Sequence, residues 1–383
     1  MATLYDVLGI SHRSNAKQVR EAYHKLAREF HPDVNTALDA HERMAEINVA
    51  FEVLSDPLRR SQYDSSIGFQ ATERETRQGD QGRPTAVRAE IFRRLRHHRT
   101  PVYGIAFEPG GRMVSSSFDN EVIWWDSKME HRAHTHRFEG GVVNAIGVPA
   151  DGRVVAAGST EQLLSCWTLG PGGEATSWRQ SPKSWVCCVA PSPDGKLLAY
   201  GTVNRSAHVA RAADGFTEVS VFNHEESVTA LAWRADSRVL ATGSADATVR
   251  LWDPRSGREI HTVNRIISTV TAISFSPDGR WLAVAAVDLS IRIVKLSDMS
   301  LVKTFHGHSR PIEAMAFHPR SWLLATASRD GSVGLWDVKR GIGHGQIEAS
   351  HQPISCLAFS PNGHFLAAGG LDKMLRVWKL GAA

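Results

Sequence analysis

Ala272-Ile273-Ser274-Phe275-Ser276-Pro277-Asp278-Gly279 is the stretch from which the rest of the chain can be read. It returns as Cys356-Leu357-Ala358-Phe359-Ser360-Pro361-Asn362-Gly363, and in looser form around Phe107, Val148, Pro191, Trp233 and Phe317. An apolar stretch followed by a Pro-Asp-Gly or Pro-Asn-Gly turn is a short strand with its stop signal. Downstream of each copy stands an acid or its stand-in: Asp119, Glu161, Asn204, Asp246, Asp288, Asp330 and Asp372, at intervals of 42 or 43 residues. Six residues after each lies Trp125, Trp167, Ala210, Trp252, Val294, Trp336 or Trp378. Each unit holds three short apolar stretches, such as 270–275, 281–286 and 291–295. Strands this brief cannot stand alone and have to stack on their neighbours.

Three units carry a Trp-Asp pair, at Trp125-Asp126, Trp252-Asp253 and Trp336-Asp337. On these residues and this period, 101–383 resembles an array of WD40 repeats. The resemblance implies an all-β, seven-bladed propeller in which each blade is a four-stranded antiparallel sheet. The last unit stops at Leu380, just after its third strand, while a strand-like piece around 87–95 is unassigned. We expect 86–95 to close the last blade, which removes an exposed sheet edge. Two units repeat a set of four polar and aromatic residues at the same spacings: His224, Ser244, Asp246 and Trp252, then His308, Ser328, Asp330 and Trp336. We read each set as a buried hydrogen-bond network that locks the blade's turns. Ser, His and Asp are also the makings of a hydrolytic triad, but a triad has no reason to repeat. The residue before each turn acid is Phe118, Thr160, Val203, Ala245, Val287, Arg329 or Leu371. By the resemblance, this position faces the rim of the central channel. Four of the seven are large or branched apolar residues where a turn should be polar. Phe118, Val287, Arg329 and Leu371 are therefore the expected partner-binding residues, with Leu371 and Phe118 made neighbours by ring closure.

Residues 1–64 have a different period. Val19, Tyr23, Leu26 and Phe30 fall on one helical face, and Met44, Ile47, Phe51 and Leu54 on another, which Pro57 ends. Leu4, Val7, Leu8 and Ile10 supply a short leading helix. Two such helices joined by a short connector form an antiparallel hairpin. The connector opens with His31-Pro32-Asp33. Together with Leu4-Tyr5-Asp6-Val7-Leu8-Gly9-Ile10, Ala22-Tyr23-His24-Lys25-Leu26-Ala27, the run from Glu46 to Pro57 and Tyr63-Asp64, it makes the segment similar to the J domain of the DnaJ/Hsp40 co-chaperones. That small all-α domain is not an enzyme. The resemblance implies that it docks on the ATP state of a DnaK-type Hsp70 and accelerates ATP hydrolysis there. His31, Pro32 and Asp33, with the basic face Arg20, His24, Lys25 and Arg28, are the expected Hsp70-binding residues. His24 stands where Lys or Arg is more usual, Glu21 interrupts the basic run, and Met44 stands where the family often has an aromatic.

Composition agrees with a folded two-domain chain. Hydrophobic residues are 42% and charged residues 22% of the 383, which excludes wholesale disorder. No apolar run approaches the roughly 18 residues of a membrane span. Met1-Ala2-Thr3-Leu4-Tyr5-Asp6 lacks the basic-then-apolar order of a secretory leader. Cys166, Cys187, Cys188 and Cys356 form no CxxC pair, so the expected compartment is a reducing cytoplasm. The net charge of +4 is too mild to demand nucleic acid, and it is uneven: −2 over 1–64 and +4 over 65–100. His131-Arg132-Ala133-His134-Thr135-His136 has metal-like spacing, but we read it as a solvated connection after the first unit. There is no phosphate loop and no HExxH, so no cofactor, metal or catalytic residue is expected. The expected organisation is a J domain at 1–64, a linker at 65–85 and a propeller at 86–383. In function this reads as an Hsp70 co-chaperone whose propeller binds a protein client or complex. The alternative is a signalling or RNA-processing scaffold in which the J domain is incidental. With neither a zinc-finger module nor a long Gly/Phe-rich region in the sequence, the resemblance implies a specialised J protein rather than the general-purpose type.

Overall fold

The three apolar stretches of each repeat are strands, and a fourth, polar stretch completes the sheet. In the fifth repeat, Val270–Phe275, Trp281–Ala286, Ile291–Lys295 and Ser300–Phe305 pair in that order, each antiparallel to the last. The structure is a computed structural model. It describes residues 4–11, 14, 16–29, 43, 47, 50, 51, 53 and 54, then 87–381 apart from 140, 150, 159–162, 171, 172, 215, 216, 264, 265 and 267. The chain divides into two compact units, Met1–Gly82 and Arg83–Ala383.

The described residues of the second unit form seven four-stranded sheets. Their first strands are Val102–Phe107, Val143–Gly147, Val186–Pro191, Val228–Trp233, Val270–Phe275, Ile312–Phe317 and Ile354–Phe359, which open blades 1 to 7. Each touches the first strand of the next blade, and that of blade 7 touches that of blade 1. The result is a seven-bladed β-propeller. Its apolar material is divided into seven clusters, each straddling two neighbouring blades. Between blades 4 and 5, for example, Val249 and Leu251 meet Val270, Ile273 and Val284.

Every first strand carries a β-bulge at its second residue: Tyr103, Asn144, Cys187, Thr229, Thr271, Glu313 and Ser355. A bulge re-aims one side chain out of the ladder. Three of these reach across to the next blade. Asn144 Nδ2 donates to the Val186 carbonyl at 2.7 Å, Thr229 Oγ1 to the Val270 carbonyl at 2.7 Å, and Ser355 Oγ to the Val102 carbonyl.

The ring closes between blades 7 and 1. Ala89–Leu95 pairs antiparallel with Leu375–Leu380, from Ala89 opposite Leu380 to Leu95 opposite Leu375. It is the outer strand of blade 7. Leu95 is buried in one cluster with Val102, Met113, Trp125 and Val377. Gly369 is required here, because a Cβ would lie 2.7 Å from Val102 Cγ1. The histidine-rich stretch read as a connection is in fact a strand: Arg132–Arg137 is the outer strand of blade 1. Outer strands pack along one edge only, so their residues stay largely exposed and their apolar pattern is lost.

In the first unit Leu4–Val7 and Ala16–Glu29 are helices. Val19 is fully buried, with Ile47, Ala50 and Leu54 in the same cluster, and Tyr23 stacks on Phe51 at 4.0 Å. Phe30, Met44 and Pro57 lie outside the described residues.

Deleting residues 1–95 should lower the propeller's melting midpoint by roughly 5–15 °C relative to deleting 1–80, because Leu95 and a whole edge strand are lost. Calorimetry on the two truncated chains measures this, and equal midpoints would show that the strand adds nothing to closure.

Candidate functional site

The second and third strands of each blade are joined by a tight turn. In all six described turns the residue after the turn acid, or after Asn204, has positive φ: Asn120, Arg205, Ala247, Leu289, Gly331 and Lys373. A side-chain-bearing residue in that region costs about 1 kcal/mol or more. The acid offsets this by accepting the backbone N–H two residues on. Asp119 takes it from Glu121 (3.0 Å), Asp246 from Thr248 (2.9 Å), Asp288 from Ser290 (3.2 Å), Asp330 from Ser332 (2.9 Å) and Asp372 from Met374 (3.1 Å).

Behind the acid, three blades carry a buried relay. In blade 4 the Trp252 indole N–H donates to Thr242 Oγ1 at 2.8 Å. The Thr242 hydroxyl donates to His224 Nε2 at 2.6 Å, and His224 Nδ1–H donates to Asp246 Oδ2 at 2.9 Å. The ionised carboxylate can only accept, which puts a proton on His224 Nδ1, and burial lowers the His224 pKa and keeps the ring neutral, so Nε2 accepts from the threonine. Blade 6 repeats the relay through Trp336, Thr326, His308 and Asp330 at 2.9, 2.8 and 2.9 Å. The bridging hydroxyl is thus Thr242 or Thr326, and the assignment to Ser244 and Ser328 is corrected. Both pairs share a strand face, but two residues span nearly 7 Å and only the threonine is level with the indole. Ser244 and Ser328 instead accept the Asp246 and Asp330 amides and donate to loop carbonyls. Blade 1 holds a third relay, Trp125, Ser115, His98 and Asp119, which sequence reading missed. Its histidine precedes the acid by 21 residues rather than 22. His98, Asp119 and Glu121 lie close enough together to suggest a cation site, but both nitrogens of His98 are engaged in the relay.

Blades without the histidine use other means. Arg292 and Arg376, each buried four residues after the acid, pair with Asp288 (2.5 Å) and Asp372. In blade 2, Ala157 stands where a hydroxyl is needed, and the buried Trp167 N–H has no partner among the described residues. In blade 3 the hydroxyls of Thr202 and Ser206 lead to His208, which pairs with Glu218 at 2.9 Å.

These clamps fix the rim. The N–H of each residue before the acid bonds to the carbonyl just before or at the foot of the first strand: Phe118 to Pro101, Val203 to Trp185, Val287 to Thr269, Arg329 to Pro311 and Leu371 to Pro353, at 2.9–3.2 Å. Val287 is exposed, and Arg329 is exposed and paired with Glu313. Phe118 and Leu371 are half-buried, and the Phe118 ring stacks on Tyr103 at 4.1 Å. Burial, then the Glu313 carboxylate, raises the Tyr103 phenol against the opposing Arg329. Phe118 and Tyr103 of blade 1 thus lie near Glu313 and Arg329 of blade 6. Trp185, 54% exposed beside Val203, was missed. Its signal was a tryptophan where five of the other six blades place Pro, Ser or Thr.

In the first unit Arg20, His24, Lys25 and Arg28 lie in the helix Ala16–Glu29, and Lys25 is exposed. His31, Pro32 and Asp33 lie outside the described residues, as does Thr160.

Burial opposes ionisation of Asp246, but hydrogen bonds from Thr248, the Glu225 amide and His224 outweigh it and hold its carboxyl down at about 2. A depressed carboxyl stabilises the fold above its unfolded value and loses that effect as pH falls through its folded one. Asp246→Asn should cost about 1–2 kcal/mol at pH 7, with the gap closing towards pH 2. Thr242→Val strands both the indole and the imidazole and should cost about 1–3 kcal/mol. Urea denaturation at several pH values checks both.

The DnaJ domain profile matches residues 3–64. The profile for the WD domain, G-beta repeat, matches 89–126, 175–209, 216–253, 259–295, 299–337 and 344–379, together more than half of the chain. Residues 127–174 go unmatched, and there the structure supplies three strands of blade 2, at Val143–Gly147, Val154–Gly158 and Leu163–Gly170. The chaperone protein DnaJ of Brevibacillus choshinensis is 50% identical over 60 residues, and so is that of Roseiflexus castenholzii. That of Dictyoglomus thermophilum is 47% identical over the same length. The similarity covers 16% of this chain and 16%, 16% and 15% of those proteins, so only one segment is shared. No helix among the described residues is long and apolar enough to cross a membrane. With its repeated blades and its N-terminal match, the chain belongs to the WD domain, G-beta repeat family and carries a DnaJ domain over residues 3–64.

Proposed function

We propose that this protein is a specialised, cytoplasmic Hsp70 co-chaperone. Its J domain, 1–64, docks on a DnaK-type Hsp70 and speeds ATP hydrolysis. Its propeller, 86–383, holds a protein client or complex at the other end of the linker 65–85. The observation that carries this reading is the DnaJ match over 3–64 with His31-Pro32-Asp33 intact. Arg20, His24, Lys25 and Arg28 recur along one helix and suit an acidic partner surface. Pro32 stiffens the loop, and Asp33 offers a carboxylate to a cation of the partner. For the propeller, the exposed Trp185 and Arg329 at the turn-acid end are of the residue types that dominate interface hot spots, with the exposed Val203 and Val287 as apolar surroundings. None of the four cysteines is joined to another, and burial pushes the Cys356 thiol up to about 12, which suits a reducing compartment.

His31→Gln in the full chain should leave stability within about 0.5 kcal/mol of wild type and abolish the stimulation of Hsp70 in a single-turnover ATPase assay. Stimulation at the wild-type level would leave the scaffold reading, with an incidental J domain, in its place. Phe118→Ala with Leu371→Ala, and separately Trp185→Ala, should weaken the propeller's protein partner by about 2 kcal/mol in quantitative pulldown. Partner binding at full strength by folded variants would place the site elsewhere on the ring.

A further inference from the structure

The end of the propeller opposite the turn acids is built differently. Two clefts open there, of about 820 Å³ between blades 6 and 7 and about 630 Å³ between blades 5 and 6. They are continuous in composition, because Trp322 and Lys339 line both. Trp322 meets Trp281 edge to face at 6.0 Å, giving the shared wall an apolar ridge.

The charge around this ridge is one-sided once local pairs are set aside. Arg234 is neutralised by Asp236 (2.7 Å), Lys295 by Asp298 (3.2 Å) and Arg340 by Asp337 (3.7 Å). Lys303 binds only the carbonyls of Val338 and Lys339, at 3.3 and 3.0 Å. Arg280 stands 3.9 Å from Asp278 with its side chain 82% exposed. Arg320 and Lys339 are exposed and make no ion pair among the described residues. Three cations, Lys303, Arg320 and Lys339, are thus left with no carboxylate partner among the described residues beside two half-buried indoles, and the loosely paired Arg280 stands next to them.

We propose that this surface binds an extended acidic peptide segment of a partner protein. An apolar side chain would rest on Trp281 and Trp322, and Asp or Glu carboxylates would meet Lys303, Arg280, Arg320 and Lys339. Side chains on one face of an extended peptide recur about every 7 Å, a spacing suited to cations on either side of a ridge. Charge-assisted bonds to carboxylate supply the attraction. The chain's own linker 65–85 is a poor occupant, since its three arginines balance its three carboxylates and leave no acidic excess. Single-stranded nucleic acid fits less well. It needs a cationic track for successive phosphates, and Asp278, Asp337 and Asp298 interrupt this one. The proposal does not rest on the co-chaperone reading.

The test is fluorescence anisotropy on the full chain, with a labelled peptide of alternating glutamate and leucine. Its charge-reversed lysine counterpart and a labelled oligothymidylate serve as comparisons. The acidic peptide should bind saturably and weaken with added salt. Arg320→Glu with Lys339→Glu should weaken it by about tenfold or more at an unchanged melting midpoint. Trp322→Ala should weaken it without altering the salt dependence. If charge reversal disturbs the fold, Arg320→Gln with Lys339→Gln replaces it. No saturable binding, binding unchanged in the folded double variant, or equal binding of the lysine peptide would overturn the proposal. Tighter binding of the oligothymidylate at the same residues would assign the surface to nucleic acid instead.

Discussion

A four-stranded sheet of small apolar residues has two faces to bury and cannot cover either by itself. Every other feature of the propeller depends on that constraint. The seven apolar clusters lie between blades rather than within them, so each blade is half of two cores. An open row would leave one face of the first blade and one of the last in water. The seam between blades 7 and 1 therefore carries the same kinds of contact as the other six, together with a strand borrowed from the beginning of the ring. Ser355 reaches the Val102 carbonyl there as Thr229 reaches Val270 elsewhere.

Closure fixes the blades, and the turn acids fix what they display. Each described turn holds a residue with positive φ, and a carboxylate holds the turn in five of the six. Three blades back the carboxylate with imidazole, hydroxyl and indole, and two with a buried guanidinium. The chemistry differs, but the physical task is the same: to keep a buried acid ionised and a strained turn in place. A rigid turn leaves the residue before the acid free to vary, which is why Phe118, Val287, Arg329 and Leu371 can differ so widely at equivalent positions.

The two ends of the ring consequently have different character. At the turn-acid end, apolar groups such as Trp185, Val203 and Val287 stand exposed. At the other, the loops between first and second strands bring cations and indoles around two clefts. A propeller built this way carries two chemically distinct surfaces. The helical unit has its own small core around Val19, Ile47 and Leu54.

The repeat period, the number of units and the three inner strands of each were legible because short-range pattern controls them: alternation, a Pro-Asp-Gly stop and a turn acid every 42 or 43 residues. The stripes Val19-Tyr23-Leu26 and Ile47-Phe51-Leu54 were legible for the same reason, since helical periodicity is local. What the sequence could not show depends on distances across the fold. Ser244 and Thr242 are equivalent as letters, and only the level of the Trp252 indole decides which of them bridges to His224. His98 escaped notice because a loop one residue shorter changes the spacing without moving the imidazole. Arg132–Arg137 looked like a loop because an outer strand has no second neighbour to demand apolar residues. Trp185 and the clefts beside Trp322 arise where segments tens of residues apart are brought edge to edge. Sequence thus determined which elements form and how often they repeat, because those follow from local backbone and side-chain preference. Tertiary structure alone decided which side chains meet at the seams and the rim, because that depends on the closure of the ring.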